Sequence, residues 1–364
     1  MGRGEPARPF SAVVEEALYA PGAGFYETGG QAGRRGDFLT SPEVGPLFGA
    51  VLARALDRWW VEQGRPDPFL VDEHGAGPGT LARTVLVAQP ACAPALRWTL
   101  VERSAAQRRL HPAHLPHVGL LPGGPLGRWA GPGGGPLVAS AGASPSRPAH
   151  VVLANELLDN LPFDLFEATA EGWAEVRVVG EGPDRDEVLV PAGPDDAATL
   201  AALAPDAGPG ARAPLERAAG AWVAAVLAGL APGGRLVVLD YASTTAALAA
   251  RPVTEWLRTY RGHTRGGPPL AGLGTQDVTV EVCADQVAAA ARPPDLDRPQ
   301  AEALRAWGLD DLVAEGRAAW AARAPGPDLA TLRARSRVTE AEALCAPDGL
   351  GAFRVLEWAV PAVA

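Results

Sequence analysis

Hydrophobic residues follow two different spacings along this chain. In residues 10–19 and 46–61 they recur every three or four positions, which is the spacing of an amphipathic helix. Elsewhere they form short uninterrupted runs, which are typical of strands buried on both faces. The runs lie at residues 69–71, 96–101, 117–121, 151–154 and 235–239. Because predicted helices such as 80–87 and 214–230 separate these runs, the pattern predicts an α/β fold with a mainly parallel sheet.

The same pattern divides the chain into three regions. Residues 1–62 are expected to form an N-terminal helical and loop cap that contributes to the active site, and residues 63–283 a Rossmann-like core. Residues 284–364 are expected to add helices and a closing strand at 353–358. With 364 residues, 47% of them hydrophobic, the chain is long enough to bury a large core, either in one big domain or in one core plus a subdomain.

Two stretches of unusual composition interrupt the predicted core. Residues 122–148 are dense in glycine, proline and serine, and residues 180–214 are acidic and rich in proline and alanine. Such compositions favour irregular surface insertions. Residues 174–179 and 187–190 are predicted to pair as an antiparallel ribbon, as part of an inserted substrate subdomain.

Charge narrows the classes of partner. The formal net charge is −10, which disfavours nucleic-acid binding because proteins of that class usually carry a basic patch. An acidic surface suits a basic partner such as an arginine-rich peptide, and it equally suits plain solubility. No apolar run is long enough to span a bilayer and the N-terminus has no apolar leader, so no membrane partner is expected. Both a monomer and a homodimer are compatible with the sequence.

Cysteine and histidine spacing gives no sign of a disulfide framework or a metal site. The cysteines are Cys92, Cys283 and Cys345. Because they are few and scattered, a reducing cytoplasm is the expected compartment. The histidines at positions 111, 114 and 117 have helical spacing, but prolines interrupt that stretch, so no metal is predicted there.

A glycine-rich turn is the sharpest chemical signal. A strand runs into acidic Glu73 and then into Gly75, Gly77 and Gly79, ahead of a predicted helix. Glycine lets the backbone turn sharply and lets a ligand lie against it, and the helix start offers N–H groups to a ligand carboxylate. The spacing differs from the dinucleotide G-x-G-x-x-G, and no phosphate-binding lysine follows. It predicts an S-adenosylmethionine (SAM) site; the alternative is a plain turn in a glycine-rich chain.

Polar residues follow two further strands. Glu102 ends the strand at 96–101, where a carboxylate can accept both hydroxyl hydrogens of a ribose; the alternative is a surface glutamate at a strand end. Asn155 and Glu156 follow the strand at 151–154, and Asp159 comes three residues later. Because ligands bind beyond the carboxyl ends of strands in open α/β sheets, we expect these residues to meet cofactor and acceptor. Alternatively, they cap a helix.

Several sequence blocks resemble those of a known family. Residues 36–49 are similar to the signature G-D-F-x-T-[AS]-P-E-x-x-x-L-F-G, and residues 17–26 to A-L-Y-x-P-x-x-G-Y-Y. The glycine turn is similar to E-x-G-x-G-x-G, and residues 155–162 to N-E-x-x-D-x-x-P. Together these blocks resemble the MidA family of SAM-dependent methyltransferases, whose mitochondrial members methylate an arginine of a complex I subunit during assembly.

The resemblance implies a class I SAM-methyltransferase core, SAM as cofactor and a protein substrate. It also implies that Thr40, Ser41, Pro42 and Glu43 line the cofactor or acceptor pocket; a plain interpretation makes them the start of a helix. The matches run from about residue 10 to residue 283. The C-terminal part departs from the family pattern, which motivates a small-molecule acceptor as an alternative.

The chemical nature of the methyl acceptor decides which residues are the catalytic candidates. For an arginine, carboxylates would pair with the guanidinium, and Glu156 and Asp159 are the candidates, with Glu43 third. For a small hydroxyl or amine acceptor, His263 is the candidate general base; its alternative is a simple loop residue. A further alternative is a SAM-binding assembly factor with little turnover.

Overall fold

The structure, a computed structural model, describes residues 6–30, 40–115, 119–121, 128–130, 137–262, 264–323 and 328–362. The helices are α1 (Phe10–Tyr19), α2 (Ser41–Val44), α3 (Pro46–Glu62), α4 (Thr80–Val87), α5 (Ala105–Arg108), α6 (His111–His114), α7 (Pro194–Leu203), α8 (Arg217–Ala228), α9 (Thr245–Ala249), α10 (Val253–Trp256), α11 (Ala284–Ala290), α12 (Gln300–Ala306), α13 (Leu309–Arg323) and α14 (Leu329–Leu344).

The strands of the described residues are β1 (Arg8–Pro9), β2 (Phe69–His74), β3 (Leu96–Val101), β4 (Gly119–Leu121), β5 (Arg128–Ala130), β6 (Leu137–Ala141), β7 (Ala149–Asn155), β8 (Asp164–Thr169), β9 (Gly172–Val179), β10 (Asp186–Pro191), β11 (Arg212–Leu215), β12 (Leu230–Asp240), β13 (Ala242–Ser243), β14 (Leu257–Arg261), β15 (Thr264–Arg265), β16 (Asp277–Val280), β17 (Val282–Cys283), β18 (Leu296–Pro299) and β19 (Arg354–Ala359).

A large mixed sheet forms the centre of the fold. Its order is β18-β19-β12-β7-β2-β3-β6-β5-β4. The neighbours from β12 to β6 pair in parallel, whereas β19 is antiparallel to β12 and β5 is antiparallel to β6. The predicted α/β class, with its Rossmann-like and mainly parallel core, is therefore confirmed. The apolar runs of β2, β3 and β7 are buried on both faces, as strands covered by helices require.

One predicted strand is wrong in its place. The apolar run at residues 117–121 predicts a third strand of the core, but residues 137–141 (β6) are the strand that follows β3 in the parallel part of the sheet. Residues 119–121 pair at the sheet edge instead, antiparallel to β5, and residues 117 and 118 lie outside the described part. Residues 137–141 include small and polar side chains and form no long hydrophobic run, so the sequence gives no local signal for this strand. Its place in the sheet comes from its pairing with β3.

Both stretches expected to be irregular contain regular structure. Residues 122–148 include β5 and β6, and residues 180–214 include β10 and α7. The predicted ribbon is confirmed, because β10 pairs antiparallel with β9, with Glu187 opposite Val178. Together with β1, β8 and β11 the ribbon makes a second sheet. Composition was a poor guide here because packing against the rest of the chain stabilises regular structure even in stretches rich in proline and alanine. Leu200 on α7, for example, is fully buried.

The segments before and after the core pack against it. Helix α3 shares one hydrophobic cluster with β2, α4 and α13, through residues such as Leu52, Val85 and Leu312. Helix α1 packs on the second sheet and on β16. Its Phe10 ring also lies 5.6 Å, between centroids, from that of Phe163, which directly precedes β8. Helix α14, which was not predicted, contributes buried Glu340, whose carboxylate accepts a hydrogen bond of 2.8 Å from the Leu47 N–H.

Within the described residues, none of the helices has the length and apolar character needed to cross a bilayer. In the same part of the chain, histidine, cysteine and carboxylate side chains form no cluster of three that could hold a metal ion.

Candidate functional site

The glycine turn follows β2 at the carboxyl edge of the central sheet. Gly75, Gly77 and Gly79 have φ values of +66°, +51° and +87°, which side-chain-bearing residues rarely adopt. The Gly77 N–H donates to Glu102 Oε2 at 2.9 Å, and its carbonyl lies 2.8 Å from His111 Nε2. Glu102 and His111 therefore hold the turn from both sides.

The three glycines face different surroundings. A Cβ built on Gly75 would lie 2.9 Å from Leu157, and one on Gly79 would touch the side chains of Leu100 and His111 at 3.4 and 3.6 Å. A Cβ on Gly77 would meet nothing within 4 Å. A side chain at Gly75 would thus press on Leu157, whereas one at Gly79 would make ordinary contacts, and there the positive φ is what favours glycine. Gly77 presents bare backbone to an open pocket.

Glu102 ends β3 beside this turn and is buried. Its carboxylate accepts hydrogen bonds from the Gly77 N–H and, at 2.7 Å, from the Ser104 N–H. A carboxylate offers about four lone-pair sites, so these two bonds leave capacity for the hydroxyls of a ribose. Burial raises the pKa of Glu102 above its ordinary value.

We call the cavity above this turn the inner pocket, lined by residues 74–78 together with Tyr19, Glu102, Gln107, Asn155 and Glu156. It is a cleft beside the glycine turn that is partly open to solvent. Glu73 also lines it, and its carboxylate accepts a 3.0 Å hydrogen bond from the Trp98 indole N–H.

Orphaned polar atoms show that a polar ligand fits the inner pocket. Thr80 Oγ1, Gln107 Oε1 and Asn155 Oδ1 are buried and have no hydrogen-bond partner among the described residues. All three residues line the inner pocket. Because leaving a buried polar group unpaired costs about 1–3 kcal/mol, a ligand that pairs with these atoms is stabilised there. SAM, with an amino acid, a ribose and a base, carries donors of that kind.

The predicted segment around residue 40 reaches the same cavity. Thr40, Pro42 and Glu43 line the inner pocket. Ser41 is fully buried beside it, and its hydroxyl donates to Gln300 Oε1 at 2.9 Å. Thr40 precedes α2 but makes no side-chain capping bond. Residues 36–39 of the family signature and the candidate base at position 263 lie outside the described residues.

Glu156 stands at the junction of two pockets. We call the second one the outer pocket; its lining includes Glu156, Asp159, Tyr241, Asp277 and the loop at residues 347–350. Glu156 and Asn160 line both pockets. The φ of Glu156 is +53°, a left-handed conformation that costs a side-chain-bearing residue roughly 1–2 kcal/mol. Such strain is typical of functional sites, where the surrounding structure fixes the direction of a side chain.

The helix-cap interpretation of this segment is wrong. No α-helix begins at residues 155–159; a single 3₁₀ turn, Leu158–Asn160, follows β7. The Asn155 amide donates to Glu156 Oε1 at 3.1 Å, and a backbone N–H of Ser41 also bonds to Glu156.

Asp159 is held by two hydroxyl groups, one from Thr279 on β16 and one from Tyr241, which directly follows β12. Its Oδ2 accepts hydrogen bonds from Thr279 Oγ1 at 2.6 Å and from the Tyr241 hydroxyl. Asp277 lies two residues before Thr279. Its carboxylate accepts hydrogen bonds from Asn160 Nδ2 and from the Tyr26 hydroxyl, both at 3.2 Å. The result is a buried group of carboxylates around the junction.

Sequence reasoning missed part of this arrangement. Gln107 and His111 gave no local signal, because each acts on the glycine turn or its pocket from a short helix after β3. Tyr241 and Asp277 belong to family-like blocks, D-Y at 240–241 and D-V-T at 277–279, which could have pointed to them.

Burial makes the charged state of these carboxyl groups unfavourable. The pKa is raised to about 8 in Glu73, Glu156, Glu216 and Asp277. Burial is the largest cause in each, and the nearby Asp159 carboxylate adds to it in Glu156 and Asp277. Conversely, burial lowers the pKa of His74 and His111 to about 4, so both rings are neutral at pH 7.

This predicts a pH dependence of folding. Between about pH 4.5 and pH 8 the folded chain retains protons on these carboxyls that the unfolded chain has lost, so the free energy of unfolding falls as pH rises. The neutral histidines act in the opposite sense only below about pH 6.5. Urea denaturation of the ligand-free protein should therefore show decreasing stability from about pH 6.5 to 8.

The variant Glu216→Gln separates this effect from the pockets, because Glu216 accepts from the Cys283 N–H away from both. At pH 8.5 it should be more stable than the parent protein by on the order of 1 kcal/mol, with a smaller difference at pH 6. An equal difference at both pH values would contradict the assignment of a raised pKa.

Comparison with known proteins identifies the family, the fold and the cofactor. A family model for S-adenosyl-L-methionine-dependent methyltransferases matches residues 51–298. A crystal structure of a superfamily member from Burkholderia thailandensis bound to S-adenosyl-homocysteine is 29% identical, with a TM-score of 0.77, and covers 97% of this chain and 88% of that chain. The predicted cofactor and class I methyltransferase fold are thus confirmed.

Curated relatives are named protein arginine methyltransferase NDUFAF7, mitochondrial. The human protein is 31% identical over 45% of this chain and 40% of its own length. The mouse protein is 27% identical over 74% of this chain and 63% of its own length. The match therefore spans less than two thirds of these relatives.

These names contradict the expected cytoplasmic location, since the relatives are mitochondrial proteins. The expectation rested on few and scattered cysteines, which do not distinguish one reducing compartment from another. The family model matches residues 51–298, more than half of the chain. As the resemblance to the MidA family predicted, the chain therefore belongs to this family of S-adenosyl-L-methionine-dependent methyltransferases.

Proposed function

We propose that this chain transfers a methyl group from SAM to an arginine side chain of a protein. One observation carries the proposal: the Glu156 carboxylate lies where the glycine-turn pocket meets a second pocket rich in carboxylates. Guanidinium groups pair with carboxylates through two parallel hydrogen bonds, which orient one nitrogen. The arginine acceptor named in the relatives NDUFAF7 supports the same substrate class.

The residues divide the work between binding and orientation. Glu102 and the bare backbone at Gly77 would hold the nucleoside part of SAM, and Asn155 and Gln107 would pair with its polar groups. When bound, SAM supplies a methyl group on a positively charged sulfur; transfer breaks that S–C bond and forms an N–C bond. Holding donor and acceptor in line is worth several kcal/mol as an effective concentration.

Proton balance gives Glu156 a further role. The acceptor guanidinium loses one proton as its nitrogen gains the methyl group. A cation beside Glu156 favours its charged form, which lowers its raised pKa and leaves it ionised when the acceptor is bound. The carboxylate is then able to accept the released proton.

Tritiated-methyl transfer tests this proposal. SAM binding is first measured by calorimetry, and labelled SAM is then added to the enzyme with lysate proteins and, separately, with a small-molecule extract. Labelled methylarginine in acid hydrolysates of the protein fraction is the expected result. Label found only in the small-molecule fraction would show that the methyl acceptor is a small molecule and not a protein arginine. Tight SAM binding without transfer would indicate a cofactor-binding assembly factor.

A further inference from the structure

The outer pocket adjoins the inner pocket at Glu156 and Asn160, which line both. Five parts of the chain build it: the segment after β7, residues 241 and 242 after β12, the strand β14, the strand β16 with the residue that follows it, and the loop at residues 347–353 before β19. An acceptor bound in the outer pocket would therefore reach the methyl donor past Glu156. This position is what the second substrate of a transferase requires.

One residue that lines this cavity carries an unpaired acceptor atom. Asp159 is 4% exposed, and its Oδ2 is held by Thr279 and Tyr241, but its Oδ1 is buried with no hydrogen-bond partner in the described part of the chain. A carboxylate oxygen accepts hydrogen bonds and cannot donate them when ionised. The partner that this oxygen lacks in its ionised form is consequently a donor. Burial raises the pKa of Asp159, and a cationic donor would favour the ionised form and offset the cost of burying its charge.

The carboxyl groups around the outer pocket favour the same kind of ligand, because a bound cation would favour their charged form over the neutral form that burial favours. Its carboxylates are those of Glu156, Asp159, Asp277, Glu281 and Asp348, and its one arginine among the described residues is Arg258.

The chain's own guanidinium shows that this cavity can hold such a group. Arg258 lies over the Tyr241 ring at 5.5 Å from the ring centroid, and one of its nitrogens is 3.8 Å from Glu281 Oε2. The other edge of the aromatic wall is Phe353, whose ring centroid is 5.2 Å from that of Tyr241. Arg258 makes no hydrogen bond to Asp159 within the described structure, so Asp159 Oδ1 remains available for a second cation.

We propose that the outer pocket is the acceptor channel, and that Asp159 and Glu156 there bind the guanidinium of a protein arginine, which enters past Asp348 on the 347–353 loop. This inference rests on the proposed methyl transfer and adds to it the route and the residues that select the acceptor. A planar guanidinium suits two carboxylates on adjoining walls better than a compact ammonium does. Tyr241 and Thr279 are positioning residues, because they fix the direction of the Asp159 carboxylate.

Probes that span both pockets test the channel without turnover. We would compare adenosine linked through an alkyl chain to a guanidine, to a neutral urea of the same shape, and to an amine. Calorimetry should show that the guanidine binds at least about tenfold more tightly than the urea, as a charge-assisted pair allows. Equal affinity for the guanidine and urea probes would overturn the assignment of the outer pocket as an acceptor channel. A preference for the amine probe would overturn the assignment of a guanidinium as the acceptor group.

Two variants locate the effect. Asp159→Asn should reduce the preference for guanidine over urea about tenfold while leaving S-adenosyl-homocysteine binding unchanged. Because buried Asp159 is open to folding defects on substitution, exposed Asp348→Arg is the second variant, with an expected loss of a few-fold by repulsion. The matched control is Asp310→Arg, an exposed aspartate on α13 that lines neither pocket.

The outcomes separate this inference from the proposed function. If both Asp159→Asn and Asp348→Arg keep the full preference for guanidine, the acceptor enters elsewhere and the inference fails, whatever the transfer assay shows. If S-adenosyl-homocysteine itself does not bind the parent protein, the proposed function fails first. If methylarginine forms while the probes do not discriminate, the function stands and the channel assignment is wrong.

Discussion

Replacing Gly77 by valine should abolish SAM binding, with an expected loss of affinity on the order of 100-fold or more. A Cβ at Gly77 projects into the open inner pocket and meets no protein atom within 4 Å, so its branches would occupy the space of the ligand. Overpacking of this kind costs about 1–3 kcal/mol for each badly placed group. The N–H of Gly77 also positions Glu102, so a distorted turn would misplace the expected ribose acceptor as well.

The control variant must introduce the same backbone strain at a glycine that does not line a pocket. Gly182 has a φ of +56°, close to the +51° of Gly77, and its Cβ would also meet nothing within 4 Å. It is exposed at a turn of the second sheet and lines neither pocket. Calorimetry with SAM should therefore show that Gly182→Val binds like the parent protein. Retained affinity in Gly77→Val would refute the placement of the cofactor on the glycine turn.

The second large effect concerns turnover. Glu156→Gln should lower the rate of methyl transfer by about 10²–10³-fold, because an amide neither accepts the released proton nor pairs ionically with a guanidinium. Binding of SAM should change little, since the Asn155–Glu156 hydrogen bond can be retained by the amide oxygen. The separation of a large loss in kcat from an almost unchanged Kd for SAM identifies a role in the reaction and not in cofactor binding.

Glu216→Gln is the matched control for this variant. Glu216 is also a buried glutamate whose pKa is raised to about 8, but it supports the Cys283 backbone and lines neither pocket. Its transfer rate should equal that of the parent protein when both are measured with tritiated SAM. Full activity in Glu156→Gln would remove Glu156 from the reaction and leave Asp159 and Glu43 as candidates.

Much of the cofactor half of the site could be predicted from local sequence. A ligand at the carboxyl edge of a parallel sheet depends on what immediately follows each strand, and chain neighbours stay neighbours in space there. Glu73, the glycine turn and Asn155 are of this kind, and all contribute to the inner pocket. Glu102 required only the further assumption that the next strand lies beside the first, which β2 and β3 do.

The acceptor half could not be predicted in the same way. The hydroxyls that hold Asp159 come from Tyr241 and Thr279, about 80 and 120 positions further along the chain. Asp348 reaches the outer pocket from beyond the region of family-like blocks. Nothing in the spacing of these residues joins them, because only the packing of β12, β16 and the C-terminal loop brings them to one cavity.

The sequence alone determined the α/β class, the glycine turn and the identity of the methyl donor, because these depend on periodicity and on residues adjacent in the chain. Tertiary structure alone decided that residues 137–141, and not 117–121, lie beside β3, and that a second, acidic pocket opens at Glu156. The physical reason is the range of the interactions: propensity and turn geometry act over a few residues, whereas strand order and the burial of paired carboxylates are fixed only when distant segments pack together.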